Sequence, residues 1–123
     1  MNWEDYPNFK KSEFDCKHTG LNEMKPEFME LLQTLRTMYG KPMIITSGYR
    51  HPTHPVESRK GHTTGEHTRG ICCDIACTSG TDRYQIIRLA LQLGFTRIGI
   101  AKTFIHLGVG GAGLPSPAIW SYS

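Results

Sequence analysis

The sequence predicts an α+β domain with a mostly antiparallel sheet and two main helices. Two segments repeat apolar residues at three-and-four spacing, the period of an amphipathic helix. Short apolar runs around them read as strands. The last two main runs, 95–101 and 104–109, are joined too tightly for a helical crossover, so they pair antiparallel. No internal repeat or linker divides the chain, so one domain is expected over residues 1–123.

The first two dozen residues read as irregular, with Phe9 and Phe14 packing on the body. Pro26 opens the first helix, because the first helical turn has no partners for its N–H groups and loses nothing to proline. Phe28, Leu31, Leu32, Leu35 and Met38 form its apolar face. Gly40 ends it and Pro42 prevents its continuation. Residues 43–46 read as a buried strand that leaves through Ser47-Gly48-Tyr49-Arg50. Residues 51–70, rich in Pro, His, Thr and Gly, read as a long loop, and such a loop in a small domain is usually functional. A strand follows over 71–77. Thr81 is the expected N-cap of the second helix, with Ile86, Ile87, Ala90, Leu91 and Leu93 on its apolar face and Gly94 at its end. The tail residues 119–122 form an expected edge strand.

Composition narrows the function. The chain of 123 residues is 38% apolar and 20% charged, as expected for a globular protein. No apolar run approaches the roughly 18 residues of a membrane span, so no membrane partner is expected. The net charge of +3 is small and scattered, and no aromatic platform accompanies it, so nucleic acid is not an expected partner. The acidic start Met1-Asn2-Trp3-Glu4-Asp5 lacks the pattern of a secretory signal, so synthesis in a cytoplasm is expected, with any export depending on another protein. Cys16, Cys72, Cys73 and Cys77 include no C-x-x-C pair, and reduced, mostly buried thiols are expected. A monomer is expected.

Polar residues in apolar strands mark the candidate site. Asp74 lies between Cys73 and Ile75, and His106 lies in Phe104-Ile105-His106-Leu107. A buried carboxylate is costly unless paired or bound to a metal. His67 stands at the entry to the strand that carries Asp74. Three such ligands plus an open position would suit a catalytic zinc. A hydrogen-bonded Asp–His pair in the core accounts for the same pattern. The run Gly108-Val109-Gly110-Gly111-Ala112-Gly113 matches a dinucleotide fingerprint by letter, but Leu114-Pro115-Ser116-Pro117 cannot open the helix that fingerprint needs. A thiolate site from Cys72, Cys73 and Cys77 with His67 would need Cys72 and Cys73 on one face, which a strand does not allow.

Three segments, Ser47-Gly48-Tyr49-Arg50, His67-x-x-Gly70-x-x-x-Asp74 and Phe104-Ile105-His106, resemble the signature segments of the M15 peptidases. Ser12-Glu13-Phe14-Asp15-Cys16 resembles the opening segment of that family, and the resemblance spans roughly residues 9–109. It implies the hedgehog/DD-peptidase fold, a single zinc peptidase-like domain, and zinc held by His67, Asp74 and His106. It also implies that Arg50 faces the substrate, where its planar, permanently charged fork would hold a carboxylate or stabilise an oxyanion. The implied reaction is hydrolysis of peptidoglycan stem peptides, of the D-Ala-D-Ala carboxypeptidase or L-alanyl-D-glutamate endopeptidase type. Many small members are phage enzymes, so action at the bacterial cell wall after delivery is the implied setting.

The sequence also departs from the family pattern. Gly65 stands where a serine is usual. The family's catalytic carboxylate, often three residues before the last histidine or two after it, would fall at Thr103 or Gly108, and neither can act as a base. Glu66 is the acidic residue nearest a ligand in sequence and reads as a solvated loop residue. His51, His54 and His62 are weaker candidates for the site. The rival reading keeps the zinc without the catalysis, as a wall-binding or virion structural module.

Overall fold

The computed structural model describes residues 1–59 and 65–122, with His62 outside that range. A single 3₁₀ turn over Trp3–Asp5 precedes helix α1 (Lys11–Phe14) and helix α2 (Pro26–Tyr39). Strand β1 (Ile44–Ser47) follows, then α3 (Pro55–Ser58), α4 (Glu66–Arg69) and β2 (Cys72–Ala76). Helix α5 (Gly80–Leu93) leads to β3 (Arg97–Ile100), β4 (Phe104–Gly108) and β5 (Ala118–Ser121). The predicted α+β class and its two main helices are present.

Helix α2 begins at Pro26 as expected and ends at Gly40, whose φ of 76° is the left-handed conformation of a helix stop. Its buried face is Phe28, Met29, Leu32 and Leu35, whereas Met38 is exposed. The cap of α5 is Ser79, not Thr81. The Ser79 hydroxyl accepts the Asp82 N–H at 3.2 Å, which moves the start of the helix to Gly80. Ile86, Leu89 and Ala90 are buried, while Leu91 faces solvent. Phe28 on α2 meets Phe95 just after α5 edge-on, with ring centroids 5.9 Å apart, an arrangement that aromatic quadrupoles favour.

The strands form one sheet in the order β1-β2-β4-β3-β5. Every neighbouring pair is antiparallel except β3 with β5. The tail strand is therefore an edge strand, as predicted, and pairs in parallel. In β2 and β4 alternate side chains point to opposite faces. Cys73, Ile75, Ile105 and Leu107 belong to the core with Phe28, Leu32, Leu35 and Ile86 of the two long helices. Cys72, Asp74, His106 and Gly108 occupy the other face, where Cys72 pairs with Gly108 and Asp74 with His106.

Residues 51–70 differ from the predicted unstructured loop. Single turns of helix, α3 and α4, lie within that span. His54 starts α3 by accepting the Val56 N–H on Nδ1, and proline at position 55 suits the first helical turn. Glu57 within that span is fully buried. The four cysteines are free, and Cys16, Cys72 and Cys73 are buried. Among the described residues, no helix is long and apolar enough to cross a membrane.

Candidate metal centre

Two glycines shape the segments that meet at the site. Gly70 closes α4 with φ of 71°, and a Cβ there would run into the backbone of Glu23. Only glycine takes that conformation and that approach without strain. Gly48 follows β1, and a Cβ there would lie 2.7 Å from the Cα of Phe14. The chain reaches Gly48 through a bulge between Ile45 and Ser47, so that Ser47 pairs with Asp74. Bulges of this kind re-aim the residues that follow them. Arg50 then donates its backbone N–H to the His67 carbonyl at 3.2 Å, which ties the end of β1 to α4.

His67 therefore sits on a helical turn and not, as the sequence reading has it, at the entry of strand β2. Its Nδ1 lies 2.7 Å from the Gly48 carbonyl oxygen. That oxygen can only accept, so Nδ1 carries a hydrogen and Nε2 is the ring nitrogen left for another partner. Nε2 lies 3.5 Å from Asp74 Oδ2. The His106 Nδ1 lies 3.0 Å from Asp74 Oδ1. The structure thus brings His67, Asp74 and His106 together from α4, β2 and β4, and all three are buried.

Burial alone would raise the Asp74 carboxyl, but the hydrogen bonds and charges of His106 and His67 outweigh it and hold it well below the usual carboxylate range. Burial would lower His106, yet the carboxylates of Asp74 and Glu66 at its two ring nitrogens raise it. An ionised carboxylate between two imidazoles is a donor set that suits a divalent cation, which would take the place of the shared protons.

Cys72 adds a fourth donor to this face. One ligand atom each from His67, Cys72 and His106 lie within 4.8 Å of one another. The sequence reading sets the cysteines aside as a thiolate site because Cys72 and Cys73 point to opposite faces of a strand, and they do so here. Cys73 faces the core, and Cys72 shares the face of Asp74 and His106. Burial first, then the Glu66 and Asp74 charges, push its thiol well above the usual range. It therefore meets the site as a neutral thiol, while Asp74 meets it as an anion.

Arg50 reaches the same place. Its Nη2 lies 3.5 Å from Asp74 Oδ2, its Nη1 donates to Glu57 Oε2 at 3.2 Å, and its Nε donates to the Ser47 hydroxyl at 3.1 Å. Thr68 also donates to Glu57, at 3.2 Å. Arg50, Glu66, His67, Asp74 and His106 line a cleft of about 460 Å³ that is also lined by Phe104, Leu114, Trp120 and Tyr122. His51 and His54 bond locally to Thr53 and Val56 and do not line this cleft.

Glu66 corrects the sequence reading most. It is not a solvated loop residue but only 5% exposed. Its Oε1 accepts from His106 Nε2 and from Arg97 Nε, each at 2.7 Å, and its Oε2 accepts the Gly110 N–H at 3.2 Å. Arg97 in turn lies over the Trp120 ring at 4.7 Å and donates to the Pro115 carbonyl. Burial would raise the Glu66 carboxyl, but His106 and Arg97 hold it below its ordinary value.

The sequence held faint signals for these residues. In Ile119-Trp120-Ser121-Tyr122 the alternation already placed both aromatics on one face of a strand. For Glu66 and Arg97, 31 residues apart, no local pattern exists.

No curated protein matches the chain. The family model described as Peptidase M15 matches residues 7–108, which contain β1, α4, β2 and β4 with every residue of the His67, Asp74 and His106 cluster. That match covers most of the chain, and His67, Asp74, His106, Arg50 and Glu66 all lie within it: the chain belongs to the Peptidase M15 family.

Proposed function

We propose that this chain is a zinc-dependent peptidase that cleaves peptidoglycan stem peptides, of the D-Ala-D-Ala carboxypeptidase or L-alanyl-D-glutamate endopeptidase type. The observation that supports it best is the pairing of His67 Nε2 and His106 Nδ1 with the two oxygens of one ionised carboxylate, Asp74, in a cleft that also holds Arg50. In this reading His67, Asp74 and His106 hold the zinc, and Gly48 fixes the His67 tautomer. Zinc bound there supplies Lewis-acid activation of water and of the scissile carbonyl. Arg50 holds a substrate carboxylate or offsets the charge that develops on the carbonyl oxygen. Trp120 and Tyr122 form an apolar wall for the peptide, and the fold shields the site from bulk water on the core side. Action at a bacterial cell wall, after delivery by a phage or another protein, fits this substrate.

A second reading is favoured by one observation. Thr103 and Gly108 leave the positions flanking His106 without a carboxylate. The zinc site would then serve a wall-binding or virion structural module.

Purified wall fragments incubated with and without a chelator, with products read by mass spectrometry, separate the two readings. The peptidase releases D-alanine or separates L-alanine from D-glutamate, and the chelator stops it. Binding to wall with no cleavage at any zinc concentration would replace the peptidase by the binding module.

A further inference from the structure

His106 and Gly108 lie two residues apart on β4, on the same face of the sheet. That face is not empty above Gly108. A Cβ built there would fall on the Glu66 carboxylate, inside any permitted contact with its oxygens. Glu66 therefore fills the volume that a side chain two residues after His106 would occupy, and it enters from a different element, α4. The missing carboxylate beside the last histidine and the buried carboxylate on α4 are two sides of one arrangement.

What Glu66 does there follows from its partners. Oε1 is occupied by His106 Nε2–H and Arg97 Nε–H, and Oε2 by Gly110 N–H. Arg97 is itself held against Trp120 and Pro115. An imidazole that donates Nε2–H to a fixed acceptor has its Nδ1 free for a ligand bond. His106 Nδ1 is the atom that faces Asp74.

We propose that Glu66 is a positioning residue. Clamped by Arg97 and Gly110, it fixes the ring orientation and tautomer of His106 so that Nδ1 faces the metal, and it can do so only because position 108 is glycine. This rests on the reading of His106 as a zinc ligand. It assigns Glu66 no contact with substrate.

The test measures zinc affinity by competition with a chromophoric chelator. It also reads the ¹⁵N shifts of the His106 ring in zinc-loaded protein. Glu66→Ala is expected to weaken zinc binding about 10- to 100-fold, the usual cost of losing an outer partner of a ligand histidine. Glu66→Gln keeps an acceptor for Nε2–H, so it should recover most of that loss. Gly108→Ala touches no ligand, yet should weaken zinc binding in the same direction by displacing the carboxylate. It decides the matter if Glu66→Ala does not fold. Zinc affinity within twofold of the parent in Glu66→Ala or in Gly108→Ala, with an unchanged His106 tautomer, would overturn the proposal. So would a Glu66→Gln variant that binds zinc normally but no longer cleaves peptide, because Glu66 would then take part in the reaction itself. If the parent cleaves no wall peptide and the affinity order still holds, the peptidase reading fails while this one stands.

Discussion

The two faces of strands β2 and β4 are built from the same backbone and differ in what they bury. On one face Cys73, Ile75, Ile105 and Leu107 join the apolar core under α2 and α5. On the other Cys72, Asp74, His106 and Gly108 meet Glu66 and His67 from α4. Both faces are buried, since the residues of β2 from Cys72 to Ile75 and of β4 from Ile105 to Gly108 are all buried. The core face needs only volume and apolar surface. The site face holds charges, so each polar atom must have a partner, and among the described residues no buried side-chain nitrogen or oxygen lacks one. Burial alone therefore does not separate core from site. The hydrogen-bond partners do.

The sharpest way to break this comparison is to remove the proposed site-face ligands one at a time. If they are the ligands, His67→Ala, Asp74→Ala and His106→Ala should each drop zinc from about one per chain towards zero by elemental analysis, since a catalytic zinc relies on three protein ligands. A variant with unchanged zinc content would lose its place as a ligand.

The matching change on the core face should do the opposite. Ile105→Ala or Leu107→Ala, both fully buried, should cost about 2 to 5 kcal/mol in urea unfolding. The folded fraction should keep its zinc. Loss of zinc at full stability would show that the two faces are not separable.

Arg50 lies on the site side, joined to Glu57 and Asp74. Arg50→Lys keeps the charge beside Glu57 but loses the planar fork. We expect peptide cleavage to fall about 10- to 100-fold, the worth of a hydrogen bond to a charged group, with the melting temperature nearly unchanged. A large fall in melting temperature with normal turnover would make Arg50 structural.

The smallest effect is expected at Tyr49, whose hydroxyl donates to Glu23 at 2.8 Å. Burial first, and then the Glu23 carboxylate, push it up to about 12. A raised folded-state value stabilises the protein below the unfolded value, near 10, and that contribution disappears as pH rises through the folded value. Stability should therefore fall between about pH 10 and 12 in the parent. Tyr49→Phe should flatten that limb of a denaturation series, and an identical alkaline limb in both proteins would refute the assignment.

Much of the fold could be read along the chain. The three-and-four spacing around Leu32 and around Ile86 located both long helices, and Pro26, Gly40 and Gly94 set their limits, because these signals act within a few residues. The apolar runs of β2 and β4 were legible for the same reason, and so was the oddity of Asp74 and His106 inside them. The single turns α3 and α4 were not, since four residues are too few to show a helical period. Glu66 was misread as solvated because its three partners, His106, Arg97 and Gly110, come from other parts of the chain.

The sequence by itself determined the α+β class, the two helices, the family resemblance and the trio of His67, Asp74 and His106 as candidates, because each rests on residue type and short-range spacing. Only the tertiary structure decided which ring nitrogen faces Asp74, that Cys72 shares the site face, and that Glu66 fills the space above Gly108. Those facts depend on where α4 lands on the sheet, and that landing is set by packing between segments about 40 residues apart, at a distance that local spacing in a sequence does not encode.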